Sequence, residues 1–170
     1  MKIVIAGAGE VGSHLAKMLS GEANEITVID ERQERLDALS ATCDAITVEG
    51  NPSAIKVLHD AGVENADLFI AVNPSESQDV NIVSAMLAKK MGSKKATARI
   101  NNEEYLSYEN KYMFTEMGID LMFYPEKIAA NEIVDLLKRT AATDSMDFAR
   151  GKLQVAVFKL EDESSLIGMN

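Results

Sequence analysis

Cysteine, histidine and proline are scarce in this chain of 170 residues, and the scarcity excludes several kinds of chemistry. Cys43 is the only cysteine, so an intramolecular disulfide is impossible and a reducing compartment is expected. The two histidines, His14 and His59, are far apart, and the acids are scattered. This spacing predicts no site for zinc or another metal. Both histidines are interpreted as surface or packing residues.

Positive charge and long apolar runs are also in short supply. The 17 Lys and Arg residues are outnumbered by 27 Asp and Glu residues, which gives a formal net charge of −10. Such a surface repels phosphates and acidic headgroups, so nucleic acid is not expected as a partner. No stretch approaches the ~18 consecutive apolar residues of a membrane helix, so direct membrane insertion is not expected either.

The chain does contain a regular alternation of short apolar runs with helical patterns. Apolar residues recur at helical spacing between the runs, as in Val11, Leu15 and Met18. The alternation predicts an α/β fold, a doubly wound (Rossmann) sheet of six parallel strands with helices on both faces. The runs that we predict to be strands are Ile3–Ala6, Ile26–Ile29, Ala45–Val48, Leu68–Val72, Ala96–Ile100 and Leu121–Tyr124.

The pattern changes near residue 140, which suggests a second domain. We predict that residues 1–140 form the sheet domain and that the small, polar residues that follow belong to a linker over 141–150. Residues 151–170 contain a stretch with β-propensity, but a segment this short cannot bury a core of its own. It is therefore interpreted as the truncated start of a C-terminal domain.

A glycine loop follows the first predicted strand and opens a helix. Gly7, Gly9 and Gly12 form the pattern G-x-G-x-x-G. In this context the first glycine makes a tight turn, the second lets backbone approach a pyrophosphate, and the third lets the helix pack closely on the strand. The helix N-terminus adds backbone N–H groups that favour an anion. The loop therefore predicts a site for a dinucleotide or an adenine nucleotide.

An acidic residue supports this interpretation and bears on the choice of ligand. Asp30 stands eighteen residues after Gly12, at the end of the second predicted strand. A carboxylate there would bind both hydroxyls of an adenosine ribose. It favours NAD over NADP, because a 2′-phosphate would meet a negative charge. Arg32 and Arg35 lie close enough in the sequence to weaken that preference.

Two later strands also end in candidate binding residues. Asn73 and Pro74 follow the fourth predicted strand, where they would lie near adenine or ribose, and Asn81 on the next helix could add a polar contact. Arg99 lies inside an apolar run, where a guanidinium is costly unless it is paired. It either faces a carboxylate, binds ligand phosphates or an interface, or is exposed at an edge of the sheet.

Catalytic residues are not predicted anywhere in this sequence. Six strands and their helices use residues 1 to about 140 and leave no substrate domain, general acid or general base. One hypothesis is therefore a nucleotide-sensing regulatory module that is not an enzyme. The alternatives are a fragment of an NAD-dependent oxidoreductase that lacks its substrate domain, and an assembly domain that no longer responds to a ligand.

Several motifs together resemble the regulator-of-potassium-conductance (RCK or KTN) domain family, specifically the TrkA-type cytosolic regulators of bacterial potassium uptake. The similarity spans residues 1 to about 160. It includes an acid at the fourth loop position, Glu10. The motifs are residues 1–12, Ala66–Val72, Asp79-Val80-Asn81, Ala98-Arg99-Ile100 with Tyr105, and Tyr124-Pro125-Glu126 with 129–133.

The resemblance implies a ligand and residues that bind it. The ligand would be NAD or NADH, with ATP or ADP possible at the same site. Asp30 would hold the ribose, Asn73 and Pro74 would lie on the adenosine side, and Arg99 would contact the phosphates. The pyrophosphate would be held by Gly7, Ala8, Gly9, Glu10, Val11 and Gly12.

The resemblance also implies partners and a location. The protein would be cytoplasmic and peripheral at the inner face of the membrane, where a potassium-translocating membrane subunit responds to nucleotide binding. It would form a homo-oligomer, a dimer or tetramer of such domains. Apolar residues of the later helices could form the interface, although half of them must pack on the sheet instead. They are Tyr112, Met113, Phe114, Met117, Ile128, Ile133, Leu136 and Leu137.

Overall fold

The protein forms a parallel sheet that is covered by helices, as seen in a computed structural model that describes residues 1–138, 144–148 and 153–157. The strands of this sheet are β1 (Lys2–Ala6), β2 (Glu25–Asp30), β3 (Ile46–Glu49), β4 (Leu68–Ala71), β5 (Ala96–Arg99) and β6 (Leu121–Phe123). The helices are α1 (Glu10–Ser20), α2 (Gln33–Ser40), α3 (Ile55–Asp60), α4 (Gln78–Met91), α5 (Tyr108–Glu116) and α6 (Pro125–Lys138). The chain divides into two compact units, Met1–Pro125 and Glu126–Asn170.

The six predicted strands are all found in the sheet, where they form five neighbouring pairs. The strand order is β3-β2-β1-β4-β5-β6, and every adjacent pair is parallel. The predicted α/β fold with a six-stranded parallel sheet is therefore confirmed.

The sheet has a core on each face because its strands are apolar on both sides. In β1, Val4 and Ala6 face one cluster and Ile3 and Ile5 face the other, and all four side chains are buried. Helices α3, α4 and α5 pack on the first cluster, whereas α1 and α2 pack on the second. Continuous apolar runs are typical of strands buried on both faces.

Two helices begin later than the sequence predicts. Ser53 follows Pro52 in the sequence, which predicts a helix start at Ser53, but α3 starts at Ile55. The side chain of Asn51 accepts hydrogen bonds from the N–H and the hydroxyl of Ser53 and holds a turn there. The aromatic-rich segment 105–117 is predicted from the sequence to be one irregular helix, but in the structure it divides at Ser107. This residue separates a short 3-10 turn from α5 and caps the first turn of α5 through its hydroxyl.

One of the residues predicted for an oligomer interface is instead part of the core. Phe114 is buried, and its ring lies 4.9 Å from the ring of Tyr105. Phe114 therefore belongs to the part of this set that packs on the sheet and not to an interface, since its spacing in α5 places it there. Tyr112 and Met113 are exposed on the same helix, and Met117 is exposed directly after it.

The second unit contains a two-stranded antiparallel hairpin that was only partly predicted. Strand β7 (Asp144–Phe148) pairs with β8 (Leu153–Val157). β8 lies in the segment for which the sequence indicates β-propensity. β7 lies inside the predicted linker, because its own short sequence does not indicate a strand. Only its pairing with β8 defines it as one. Residues 139–143, 149–152 and 158–170, and with them most of the linker and tail, lie outside the described residues. The domain boundaries stay a prediction.

Candidate functional site

A cavity of about 350 Å³ opens beyond the carboxyl ends of the sheet strands. The strand order reverses between β1 and β4, and the cavity lies between the segments that follow these two strands. Ligands of doubly wound sheets bind at such a switch point, and small-molecule sites have volumes of about 300–1,000 Å³. The residues that line the cavity are Gly9, Glu10, Val11, Arg35, Val72, Pro74, Glu76 and Arg99.

The three glycines of the loop have different structural roles. Gly7 has a φ of +112° and packs against the backbone of Asn73, where a Cβ would approach the Asn73 nitrogen to 2.9 Å. A Cβ on Gly12 would collide with the carbonyl oxygen of Gly7, so this glycine permits the close packing of α1 on the loop. A Cβ on Gly9 would meet nothing within 4 Å. Gly9 therefore leaves open space at the cavity, where a ligand could approach the backbone.

The start of α1 forms one wall of this cavity. Gly9 is the N-cap of the helix, and no side chain caps the first turn. The first N–H groups of a helix have no partner within the helix, and they carry a partial positive charge. In α1 these groups belong to Gly9, Glu10, Val11 and Gly12, and the first three of these residues line the cavity. The wall is therefore suited to an anion.

Asp30 lies behind the cavity and joins the loop to the next strand. Its side chain is buried, and its Oδ2 accepts a hydrogen bond of 2.7 Å from the backbone N–H of Ala8. Its Oδ1 accepts a hydrogen bond of 2.9 Å from the N–H of Arg32. Arg35 Nη1 lies 3.4 Å from Oδ2 and forms an ion pair with it. Arg35, not Asp30, lines the cavity.

The two candidates that follow β4 are separated by the structure. Pro74 is exposed and lines the cavity, as predicted for a residue beyond the end of a strand. Asn73 is buried behind it and does not line the cavity. Its N–H and its side-chain amide both donate to Oδ1 of Asn81, and its carbonyl oxygen accepts from Nδ2 of Asn81.

Arg99 lines the cavity from the last position of β5. Because β5 lies between β4 and β6, the interpretation that Arg99 is exposed at a sheet edge is wrong. The cavity therefore has two guanidinium groups, those of Arg35 and Arg99, and two carboxylates, those of Glu10 and Glu76. The guanidinium groups add charge that favours phosphate binding to the wall formed by α1.

Sequence reasoning did not assign Arg35 or Glu76 to the site. Arg35 lies five residues after Asp30, in the first turn of α2, and its proximity to Asp30 is the only signal that the sequence offers. Glu76 lies in a 3-10 turn after Pro74, and nothing in its local sequence distinguishes it from other surface acids. Both residues reach the cavity because the topology brings the ends of distant strands together.

The described residues offer no group of metal ligands, and the cavity lining contains no histidine. Within the described part of the chain, no group of three or more His, Cys, Asp and Glu residues could hold a metal ion. His14 and His59 are exposed and do not line the cavity. Across residues 1–138 and the two described strands of the hairpin, no helix is long and apolar enough to cross a membrane.

Comparison with known proteins shows which family this chain resembles. The family model of the TrkA-N domain matches residues 3–125. The Trk system potassium uptake protein TrkA of Haemophilus influenzae is 36% identical over 170 residues, which cover 99% of this chain and 37% of the relative. A TrkA homolog 1 of Methanosarcina mazei is 39% identical over 178 residues, which cover 99% of this chain and 42% of the relative. The chain thus spans about two fifths of the length of these relatives.

Solved structures with low sequence identity share the fold. The TrkA-N domain of the inner membrane protein ybaL from Escherichia coli has a TM-score of 0.67 at 22% identity, covering 80% of this chain and 96% of that chain. A GsuK channel bound to NAD has a TM-score of 0.58 at 16% identity, covering 71% and 21%. The Kef CTD of Shewanella denitrificans in its AMP-bound form has a TM-score of 0.56 at 19% identity, covering 82% and 84%. With its match to the family model over residues 3–125, the chain belongs to the TrkA-N domain family.

Proposed function

We propose that this chain is a nucleotide-sensing regulatory domain of a potassium uptake system, and that it binds NAD or NADH, or ATP or ADP, in the cavity beyond the sheet. The observation that carries the proposal is the position of the cavity. It lies at the switch point between β1 and β4, against the uncapped start of α1, with Arg35 and Arg99 at its sides. A strand, a glycine loop and a helix start in this arrangement suit a pyrophosphate.

Each part of a nucleotide has a matching part of the site. The phosphates would lie against the N–H groups of Gly9, Glu10 and Val11, with the Arg99 guanidinium beside them. Gly7, Ala8 and Gly12 would support this loop from behind. The ribose would lie toward Asp30 and Arg35, and the adenine toward Pro74, with Asn73 acting only through its neighbours. Structures of this fold bound to NAD and to AMP support a nucleotide as the ligand.

The relatives supply the biological role in this proposal. Two proteins with more than a third of their aligned residues identical to this chain are named as potassium uptake proteins. By analogy, the domain would be cytoplasmic and would lie at the inner face of the membrane, where it contacts a potassium-translocating subunit. It would act as a homo-oligomer whose arrangement changes when nucleotide binds one arrangement more tightly than another.

The proposal assigns no reaction to this domain. The groups that line the cavity are two arginines, two glutamates, apolar side chains and backbone, with no histidine, lysine, tyrosine or cysteine among them. Such a site suits binding better than proton transfer at neutral pH. An oxidoreductase fragment, in contrast, would need a substrate domain elsewhere and would turn over a reduced nicotinamide as the full-length protein.

Nucleotide-dependent stabilisation of the purified chain tests the proposal. Its melting temperature would be measured with NAD, NADH, ATP, ADP and AMP, each at about 1 mM. A ligand at about a hundred times its Kd adds about 2.7 kcal/mol, which corresponds to a rise of about 5–10 °C for a domain of this size. We expect at least one of these ligands to give such a rise, and we expect NADPH to give less than NADH because of Asp30.

A pair of glycine variants separates binding at the cavity from binding elsewhere. In Gly9→Val the new side chain occupies the open space at the loop, so the nucleotide response should be lost while the melting temperature of the free protein is preserved. Gly21→Ala is the matched control, because Gly21 ends α1 in a helical conformation far from the cavity and accepts a Cβ without strain. No stabilisation of the wild type by any of the five nucleotides, or an undiminished response in Gly9→Val, would contradict the proposal.

A further inference from the structure

We propose that Asn81 is a positioning residue of the nucleotide site, which sets affinity by holding the ends of β4 and β5 without itself touching the ligand. The inference rests on the proposed function, because it concerns how the same cavity is shaped. Asn81 lies in the first turns of α4, and none of its atoms lines the cavity. Asn81 bonds to Asn73, which directly precedes Pro74, and to Arg99. Pro74 and Arg99 both line the cavity.

The carboxamide of Asn81 is fully buried and makes four hydrogen bonds. Its Oδ1 accepts from the backbone N–H of Asn73 at 2.9 Å and from the Asn73 side-chain amide at 3.0 Å. Its Nδ2 donates to the carbonyl oxygen of Asn73 at 3.2 Å and to that of Arg99 at 3.1 Å. One side chain of α4 is therefore bonded to the backbone at the ends of two strands.

These bonds lie where the ladder between the two strands ends. The register of β4 with β5 runs from Phe69 opposite Ala96 to Ala71 opposite Ala98. Beyond that point the N–H of Asn73 and the carbonyl of Arg99 both bond to Asn81. The carboxamide thus bridges the two strands at the level where the cavity opens, and it fixes the separation between Pro74 and Arg99.

The chemistry of this position requires an amide. The Asn73 N–H is a donor, so it must face Oδ1, and the two carbonyl oxygens are acceptors, so they must face Nδ2. Aspartate has the same shape but would direct a second oxygen at both carbonyls. Leucine has a similar volume but would leave a buried N–H and two carbonyls without these bonds. Burying a carboxamide for packing alone is costly, whereas buried polar groups that are fully bonded specify one geometry.

One buried polar side chain near Asn81 does not connect strands, namely that of Ser84. Ser84, one turn further along α4, is also fully buried, but its hydroxyl donates only to the carbonyl of Asn81 within the same helix. Removing that hydroxyl should change the stability of α4 and leave the strand ends in place. Ser84→Ala is therefore the matched control for a loss of buried polar contact without a loss of the bridge.

The test compares nucleotide affinity in variants that are still folded. NADH binding would be titrated by fluorescence and ADP binding by calorimetry, at a temperature well below unfolding, for the wild type, Asn81→Asp and Ser84→Ala. We expect Asn81→Asp to raise Kd by about tenfold or more, because a binding group that is displaced from its position contributes much less to the binding free energy. Ser84→Ala should stay within about twofold of the wild type. If Asn81→Asp does not give a native circular dichroism spectrum, Asn81→Ser, which keeps one donor and one acceptor, takes its place.

A double-mutant cycle provides the readout that a purely stabilising role would not affect. If Asn81 acts through the position of Arg99, the effect of Asn81→Asp on Kd should be much smaller in an Arg99→Ala background than in the wild type. Full additivity of the two changes, an unchanged Kd in folded Asn81→Asp, or equal losses in Asn81→Asp and Ser84→Ala would overturn the inference and leave the proposed function standing. Failure of the wild type to bind NADH and ADP would overturn both.

Discussion

The backbone N–H of Ala8 donates to the carboxylate of Asp30 over 2.7 Å, and this bond fastens the glycine loop after β1 to the end of β2. The other carboxylate oxygen accepts from the N–H of Arg32 and fixes the turn that leads into α2. A residue expected from the sequence to bind a ribose is thus also an anchor for the loop that would bind the phosphates. Both roles depend on the same two oxygen atoms, so a ligand at Asp30 would also affect the loop.

Replacing Asp30 should therefore affect both stability and binding. Asp30→Ala removes the acceptor for two backbone N–H groups, and hydrogen bonds to a charged group contribute about 1.5–3 kcal/mol each. Together this is about 3–6 kcal/mol, so we expect the melting temperature to fall by about 6–24 °C and the stabilisation by NADH or ADP to disappear. Asp37→Ala is the control, because Asp37 is exposed and bonded only to the Gln33 side chain in α2. An undiminished ligand response in Asp30→Ala would support the assembly-domain hypothesis instead.

The glycines of the loop should differ in what they contribute. In Gly12→Ala the new methyl group would collide with the Gly7 carbonyl, so α1 must shift away from the loop and the protein should lose several kcal/mol of stability. In Gly9→Ala the methyl group meets no protein atom, so unfolding by urea should be unchanged while nucleotide affinity falls. Equal free energies of unfolding for the two variants would show that the close approach at Gly12 is not needed.

Much of this architecture could be predicted because each strand is defined locally. Ile3–Ala6 and Ile26–Ile29 are apolar on both faces, which is what a strand covered on both sides requires, and Asp30 directly follows the second run. The glycine loop is equally local, since its turn, cavity-facing position and packing position lie within six consecutive residues. Local patterns of this kind are sufficient to predict the fold and the glycine loop at the centre of the candidate site.

The parts that could not be predicted depend on contacts between distant segments. The sequence predicts both Asn73 and Asn81 as candidates for a ligand contact, whereas in the fold they bond to each other. Arg35 and Glu76 reach the cavity only because α2 and the segment after β4 meet there. β7 is a strand only through its pairing with β8. No window of sequence contains both partners of these contacts, so their outcome depends on the strand order.

The amino ends of the sheet contain two matching aspartates that should make stability sensitive to acid. Asp67 precedes β4 and accepts from Lys94 Nζ and from the Lys2 N–H of the neighbouring β1. Asp120 precedes β6 and accepts from Lys89 Nζ and from the Ala96 N–H of the neighbouring β5. The bonds from Lys94 and Lys2 hold the pKa of Asp67 below its ordinary 3.8. Burial raises the pKa of Asp120, but Lys89 and Ala96 outweigh it and the net direction is also downward.

A carboxylate whose pKa is lower in the folded state stabilises the fold above its unfolded pKa, and this contribution is lost as the pH falls through the folded value. We therefore expect the melting temperature to drop between about pH 5 and pH 3. In the double variant Asp67→Asn, Asp120→Asn the melting temperature should be lower at pH 7 and should vary less over that range. Asp44→Asn, at an exposed position before β3, is the control. A slope in the double variant as steep as that of the control would contradict the assignment.

The carboxylate of Glu76 should weaken the binding of highly charged nucleotides. Glu76 lines the same cavity as the start of α1, so its negative charge would repel phosphates that bind there. We expect Glu76→Gln to tighten ATP binding by about threefold at low salt, with a smaller change for NADH because NADH has fewer negative charges. The gain should shrink as salt is raised from about 0.01 M to 0.15 M, since the Debye length falls over that range. Glu116→Gln removes an equal charge from α5, away from the cavity, and should leave both affinities unchanged. Equal gains for ATP and NADH, or a gain in Glu116→Gln, would mean that the net charge of the protein, not the position of Glu76, determines the effect.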